Sequence, residues 1–219
     1  MNKHLKDLER WCARESGLRL KMGPPLPNTE IKKLPGGIAS SNIRQPLDVP
    51  FQPKSFVIPI SYRQFLSEHS FARLEYMNED EQWEVYEPFN IFSPEEVVKG
   101  LSFTPSGTEL DDKPICSTFL IAFATAGYQA EASRWCFYTD KDIPAKRKGE
   151  LPILSESNDF ECDVAKYVET RKWVEKAMNM PAAYSFDEWL SKLVSMVTSK
   201  PFDPERTDEI PNGFYAKKK

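Results

Sequence analysis

Adjacent acids at Glu79-Asp80-Glu81 and at Asp111-Asp112 are the residues of this chain whose types and spacing come nearest to catalysis. Two carboxylates flanking a glycosidic bond can share acid, base and nucleophile roles. A carboxylate cluster with a fixed surround can also hold a divalent cation. Sequence neighbours on a polar turn usually form a solvated face, so both clusters are read as charged surface, with a carboxylate-dependent hydrolase kept as an alternative. A Ser–His–Asp set needs a positioned imidazole, and only His4 and His69 are available. His69 falls at the end of a helix face, where a packed or capping role is expected, and His4 lies in an N-terminal turn expected to fray. Cys12, Cys116, Cys136 and Cys162 are scattered, without the paired spacing of a zinc or redox site. They are expected to be reduced, mostly buried thiols. Gly36-Gly37 lacks the flanking strand and Lys-Ser/Thr of a phosphate loop. The expectation is therefore a chain that is not an enzyme, with no catalytic residue, metal or cofactor.

The charge pattern says more. The whole chain carries −4, but residues 75–112 hold eleven acids and one base, Lys99, a net of −10. Tyr76, Trp83 and Tyr86 sit among Glu79, Asp80, Glu81, Glu84 and Glu87; Tyr128, Asp111 and Asp112 follow. Trp and Tyr are favoured at interface hot spots, and acids speed encounter with a basic partner and set its register. These eleven residues are the candidate partner-binding set. An acidic face repels nucleic acid, so the expected partner is a protein, and a basic one. The competing reading makes Trp83 and Tyr86 partly core and the acids merely solubilising.

Positioning such a set requires a folded core. Of 219 residues, 40% are hydrophobic and 12% aromatic, which suits a globular domain. No apolar run is long enough to span a bilayer and no secretory leader is evident, so a cytoplasmic protein is expected. Residues 3–21 read as one amphipathic helix through Leu5, Leu8, Trp11 and Cys12. Residues 23–56, with seven prolines, read as an irregular arm with a short helical turn near residues 29–33, with Leu26, Ile31, Leu34, Ile38, Ile43 and Phe51 as apolar anchors on the core. A helix is expected from Ile58, with Pro59 in its first turn. Strands at 71–77 and 82–86 flank a polar turn, with Trp83 and Val85 alternating against Glu84 and Tyr86. Ser93-Pro94-Glu95-Glu96 and Ser185-Phe186-Asp187-Glu188 are capping boxes opening helices. Between them come a polar loop (102–114), a hairpin (116–125 and 134–139), a strand (151–154) and a helix through Val164, Tyr167, Val168, Arg171, Val174 and Met178. Residues 201–219 read as a polar, loose tail. Strands that group together predict an α+β fold with a mainly antiparallel sheet and helices packed on one side. The domain plan is an N-terminal helix and Pro-rich arm (1–56), a central domain (57–200) and the tail (201–219).

Three stretches in this order resemble the SMI1/KNR4 (SUKH) superfamily. They are Ile58-Pro59 with Tyr62, Phe65 and Leu66; the apolar strand, glycine turn and second strand of residues 119–140; and Leu151-Pro152-Ile153-Leu154 followed by Ser185-Phe186 with Trp189-Leu190. The resemblance spans about residues 57–197. It implies an SMI1/KNR4-like fold and a protein-interaction module without catalytic residues. Many members are immunity proteins that neutralise a cognate polymorphic toxin; others are regulatory scaffolds. The first implies a basic, nuclease-like toxin domain as partner, and the second remains the alternative.

Overall fold

The computed structural model describes residues 3–42, 57–99, 109–110, 113–114, 120–127, 134–139, 145–156, 181–207 and 209–215. Helix α1 (Lys3–Cys12) buries Leu5, Leu8 and Cys12 at helical spacing. It stops there, nine residues short of the expected end: three-residue turn bonds follow (Arg14 N to the Trp11 carbonyl, Glu15 N to that of Cys12) and Gly17 turns the chain at φ 73°. Leu18, Leu20 and Met22 then alternate with Arg19 and Lys21 in strand β1 (Leu18–Met22). That period of two lies hidden in a sequence window where helical spacing also finds matches.

The described part of the Pro-rich arm, residues 23–42, is also more ordered than expected. Helix α2 (Asn28–Asn42) runs through Pro35 and buries Ile31 and Leu34, in place of one short turn. Helix α3 (Ile60–Glu68) begins one residue after Pro59, which occupies the N-cap and makes no side-chain cap bond. The missing cap arrives from far along the chain: the Glu150 carboxylate accepts from Ser61 N (2.9 Å) and Ser61 Oγ (2.7 Å).

Strands β2 (Ala72–Met77) and β3 (Trp83–Ile91) form the expected hairpin. Their register jumps between Arg73 opposite Asn90 and Glu75 opposite Val85, leaving residues 86–89 of β3 facing Leu74 alone. This bulge accommodates Pro88, which has no N–H to donate to a regular ladder. Helix α4 (Pro94–Lys99) opens on the expected capping box, with Ser93 N bonded to Glu96 Oε2 at 2.7 Å. The expected polar loop contains a small hairpin of β4 (Glu109–Leu110) and β5 (Lys113–Pro114). Strands β6 (Leu120–Thr125), β7 (Arg134–Tyr138) and β8 (Ile153–Glu156) complete a six-stranded sheet of order β1-β2-β3-β6-β7-β8, antiparallel throughout. Helix α5 (Phe186–Val197) is capped by Ser185, whose hydroxyl accepts from Glu188 N, and its apolar stripe at helical spacing, Phe186, Trp189, Leu190, Leu193, Val194 and Val197, is buried. The helix expected through residues 164–178 lies outside the described residues.

The result is an α+β fold built on a mainly antiparallel sheet. Its core is an aromatic cluster. Phe123 stacks on Phe137 at 4.2 Å, Tyr62 of α3 meets Phe137 at 5.1 Å, and Trp189 of α5 meets Phe123 edge-on at 4.8 Å. Such pairs add about 0.5–1.5 kcal/mol each beyond the area they bury. On the opposite face Ala122, Cys136 and Leu154, aligned across β6, β7 and β8, are buried as well.

The C-terminal segment is not loose. Helix α6 (Glu209–Tyr215) buries Ile210, sets Phe214 4.5 Å from Trp135, and brings the Tyr215 hydroxyl within 2.9 Å of Ser155 Oγ. Gly127, at φ 139°, lets this segment close on the sheet: a Cβ there would lie 2.8 Å from the Thr207 carbonyl oxygen. The apolar anchors are single residues spaced by charge, which is why composition alone reads as a tail.

Candidate functional site

The β2–β3 hairpin carries most of the acidic and aromatic residues singled out above. Its turn is fixed by Asn78, whose Oδ1 accepts from Asp80 N (3.0 Å) and Gln82 N (2.8 Å). Glu81 closes the turn in the left-handed region at φ 58°. Glu79, Asp80 and Glu81 are exposed at this tip. Their carboxylates are a solvated, preorganised edge, with no ion pair to any described residue.

Strand pairing sorts the remaining candidates onto two faces. Trp83 lies opposite Met77 and Val85 opposite Glu75, which in turn faces Arg19 of β1. On this outer face Trp83 and Met77 are each 39% exposed, and the Arg19 guanidinium sits 3.9 Å from the Trp83 ring centre. Glu75 is buried beneath, held by Arg19 (2.5 Å) and Lys21 (3.4 Å). The most acidic sequence segment therefore presents a basic and aromatic surface on this side: Glu75 is neutralised by cations that composition counted elsewhere.

Tyr76 pairs with Glu84 on the inner face. The Tyr76 hydroxyl donates to Glu84 Oε2 (2.7 Å) and Asn78 Nδ2 to Oε1 (2.6 Å). These bonds favour the charged carboxylate and lower the Glu84 pKa. The same bond pushes the Tyr76 phenol up to about 12. Tyr86 is buried, and desolvation raises its phenol to about 12; its hydroxyl donates to the Arg206 carbonyl at 3.1 Å. Phe202 packs against both tyrosines, 5.5 Å from Tyr76 and 5.2 Å from Tyr86.

Between this face and residues 204–207 lies a cleft of about 460 Å³, whose lining includes Tyr76, Glu84, Tyr86 and Glu87 on the hairpin and Pro204, Glu205 and Thr207 on the C-terminal arm. Four of the eleven candidates thus meet in one cavity. Glu79, Asp80 and Glu81 rim the hairpin beyond it, Trp83 faces the other way, and Asp111, Asp112 and Tyr128 lie outside the described residues. Sequence reasoning missed the second wall altogether, because nothing local links residues 204–207 to a hairpin over a hundred positions earlier. It also missed Arg19 and Asn78; the latter was legible as an Asx-turn residue preceding three acids.

A second polar cavity of about 290 Å³ is lined by Lys3, His4, Ser61, Gln64, Phe65, Glu68 and Asp187. His4 does not fray: it lies within α1, with Nε2 3.6 Å from Asp187 at the start of α5. Ser61 gives its hydroxyl proton to Glu150, so its hydroxyl serves the α3 cap. His69 follows α3 with its ring 6.1 Å from Phe65, and burial lowers its pKa. Among the described residues no group of His, Cys, Asp or Glu is placed to hold a metal ion, and no helix is long and apolar enough to cross a membrane.

Comparison of the chain with protein-family models, curated proteins and solved structures finds no match.

Proposed function

We propose that this chain is a protein-binding module of immunity type, which neutralises a cognate toxin by covering the basic groove of a nuclease-like domain. The observation that supports this reading is the β2–β3 hairpin: Glu79, Asp80 and Glu81 project, with no ion pair to any described residue, from a turn locked by Asn78, with the acidic cleft beside it. Such an edge steers a basic surface and fixes its orientation. The aromatic residues nearby supply area at low entropic cost. The resemblance of residues 57–197 to the SMI1/KNR4 superfamily gives the toxin its place in the proposal.

The test is co-expression with the protein encoded by the adjacent gene. If that protein arrests growth, the wild-type chain restores it, and charge reversal at Glu79, Asp80, Glu81 and Glu84 abolishes rescue while the variant stays folded. Rescue that survives the reversal would sink the acidic-edge version. Absence of both toxicity and binding would move the chain to the scaffold reading.

A further inference from the structure

Strand β1 lies at one end of the sheet order and pairs, among the described residues, with β2 alone. Just outside its two ends, Met77 N donates to the Gly17 carbonyl at 2.9 Å and Gly23 N to that of Phe71 at 3.0 Å. Hydrogen-bonded pairs recur at every second residue of an antiparallel ladder, so Arg19 and Lys21 also turn their backbone groups to β2. The N–H and C=O groups of Leu18, Leu20 and Met22 therefore point out of the sheet. They make no backbone bond to any described residue. Such a row is a template for one more strand.

The side chains select that strand. Arg19 and Lys21 share the outer face, with 45% and 53% of their side chains exposed. Both are tied to the buried Glu75, and Arg19 also lies over the Trp83 ring. Two cations over one carboxylate leave one positive charge in excess, held in a fixed position. Leu18, Leu20 and Met22 alternate with them and pack, half-buried, against the core. A second copy of β1 laid antiparallel about Leu20 would set Arg19 against Lys21 twice, and like charges directly opposite are destabilising. A strand with acids two residues apart meets both cations, and its intervening apolar residues lie beside Leu18, Leu20 and Met22. We infer that the β1 edge receives an extended acidic segment of a protein partner, in which acids alternate with apolar residues, added as a further strand of the sheet. This surface is separate from the hairpin tip and the cleft, and the assignment does not depend on a basic partner for either.

The experiment uses the full chain and a short capped peptide in which valine alternates with glutamate, with the lysine-for-glutamate peptide as control. Hydrogen exchange at the amides of Leu18, Leu20 and Met22 is followed by NMR. With the glutamate peptide at about ten times its Kd, exchange at these three amides should slow roughly tenfold, because it then requires the unoccupied edge. The lysine peptide should leave them unprotected. Lys21→Gln, which keeps Arg19 on Glu75, should weaken the glutamate peptide several-fold. Leu20→Pro removes the central outward N–H without touching a bond to β2, a place where an edge strand tolerates proline; it should abolish protection while the sheet stays folded. Equal protection by the lysine peptide, no protection at millimolar glutamate peptide, or undiminished binding by Lys21→Gln would each overturn the assignment. Protection that rises with protein concentration in the absence of peptide would also overturn it, since a second copy would then occupy the edge.

Discussion

Phe202 is the residue that joins the C-terminal arm to the cleft, and replacing it with alanine tests that joint. Its ring lies 5.2 Å from Tyr86, 5.5 Å from Tyr76 and 6.4 Å from Trp11, so it touches β3, β2 and α1 at once. Burying a phenylalanine completely is worth about 1.5–3 kcal/mol, and each good aromatic pair adds about 0.5–1.5. Phe202 is only half-buried, which halves the transfer contribution, and of its three ring contacts the one with Trp11 is at the long end of the pairing range. The expected cost of Phe202→Ala is therefore about 2 kcal/mol. For a chain of this size that lowers Tm by roughly 4–8 °C. Urea unfolding should show a lower midpoint with the slope unchanged. Trypsin should cut after Arg206 faster than in wild type, because residues 201–207 lose their anchor. A loss below about 0.5 kcal/mol, with the arm still resistant to trypsin, would refute the claim that Phe202 holds the cleft wall.

Other consequences follow from the same contacts. The Tyr62 hydroxyl is buried among rings with no hydrogen-bond partner among the described residues, so Tyr62→Phe should stabilise the chain by about 1–2 kcal/mol in urea unfolding. Ser185→Ala removes the cap bond to Glu188 N (3.2 Å) and should cost about 1 kcal/mol. Gly127→Ala forces both an unfavourable φ and a clash with the Thr207 carbonyl; it should destabilise by more than about 1 kcal/mol and release the arm to protease. Tyr76, at about 12 in the folded chain against an ordinary value of 10, keeps its proton where the unfolded chain has lost it. Its contribution to stability is whole below pH 10 and declines as pH rises towards 12. Absorbance titration of the phenolates should show Glu84→Gln returning Tyr76 towards ordinary acidity.

What the sequence made legible is what local rules govern. Ser93 and Glu96 form the full capping box, Ser185 caps Glu188 N while the Glu188 carboxylate reaches back to Tyr184 N instead of Ser185 N, the stripe from Phe186 to Val197 is buried, and the β2–β3 hairpin stands where alternation and a polar turn predicted it. The errors share one physical cause: structure decided by contacts distant in sequence. Residues 18–22 form a strand because β2 is there to pair with them. Pro59 needs no cap of its own because Glu150 brings one. Phe202, Ile210 and Phe214 looked isolated in a polar stretch, yet each finds a place on the core or beside it. The candidate site divides the same way. Acid and aromatic types were visible along the hairpin, but only strand register shows that Trp83 and Tyr76 face apart and that Glu75 is neutralised by Arg19 and Lys21.

The central claim is that an acidic edge and cleft bind a basic protein. It is tested most directly by measuring the affinity of the purified chain for the adjacent gene's product at low and at high salt. The account predicts tight binding that weakens as salt rises, with the dependence diminished when Glu79, Asp80, Glu81 and Glu84 are changed to their amides. Binding of equal strength at both salt concentrations, unaltered in that variant, would contradict it.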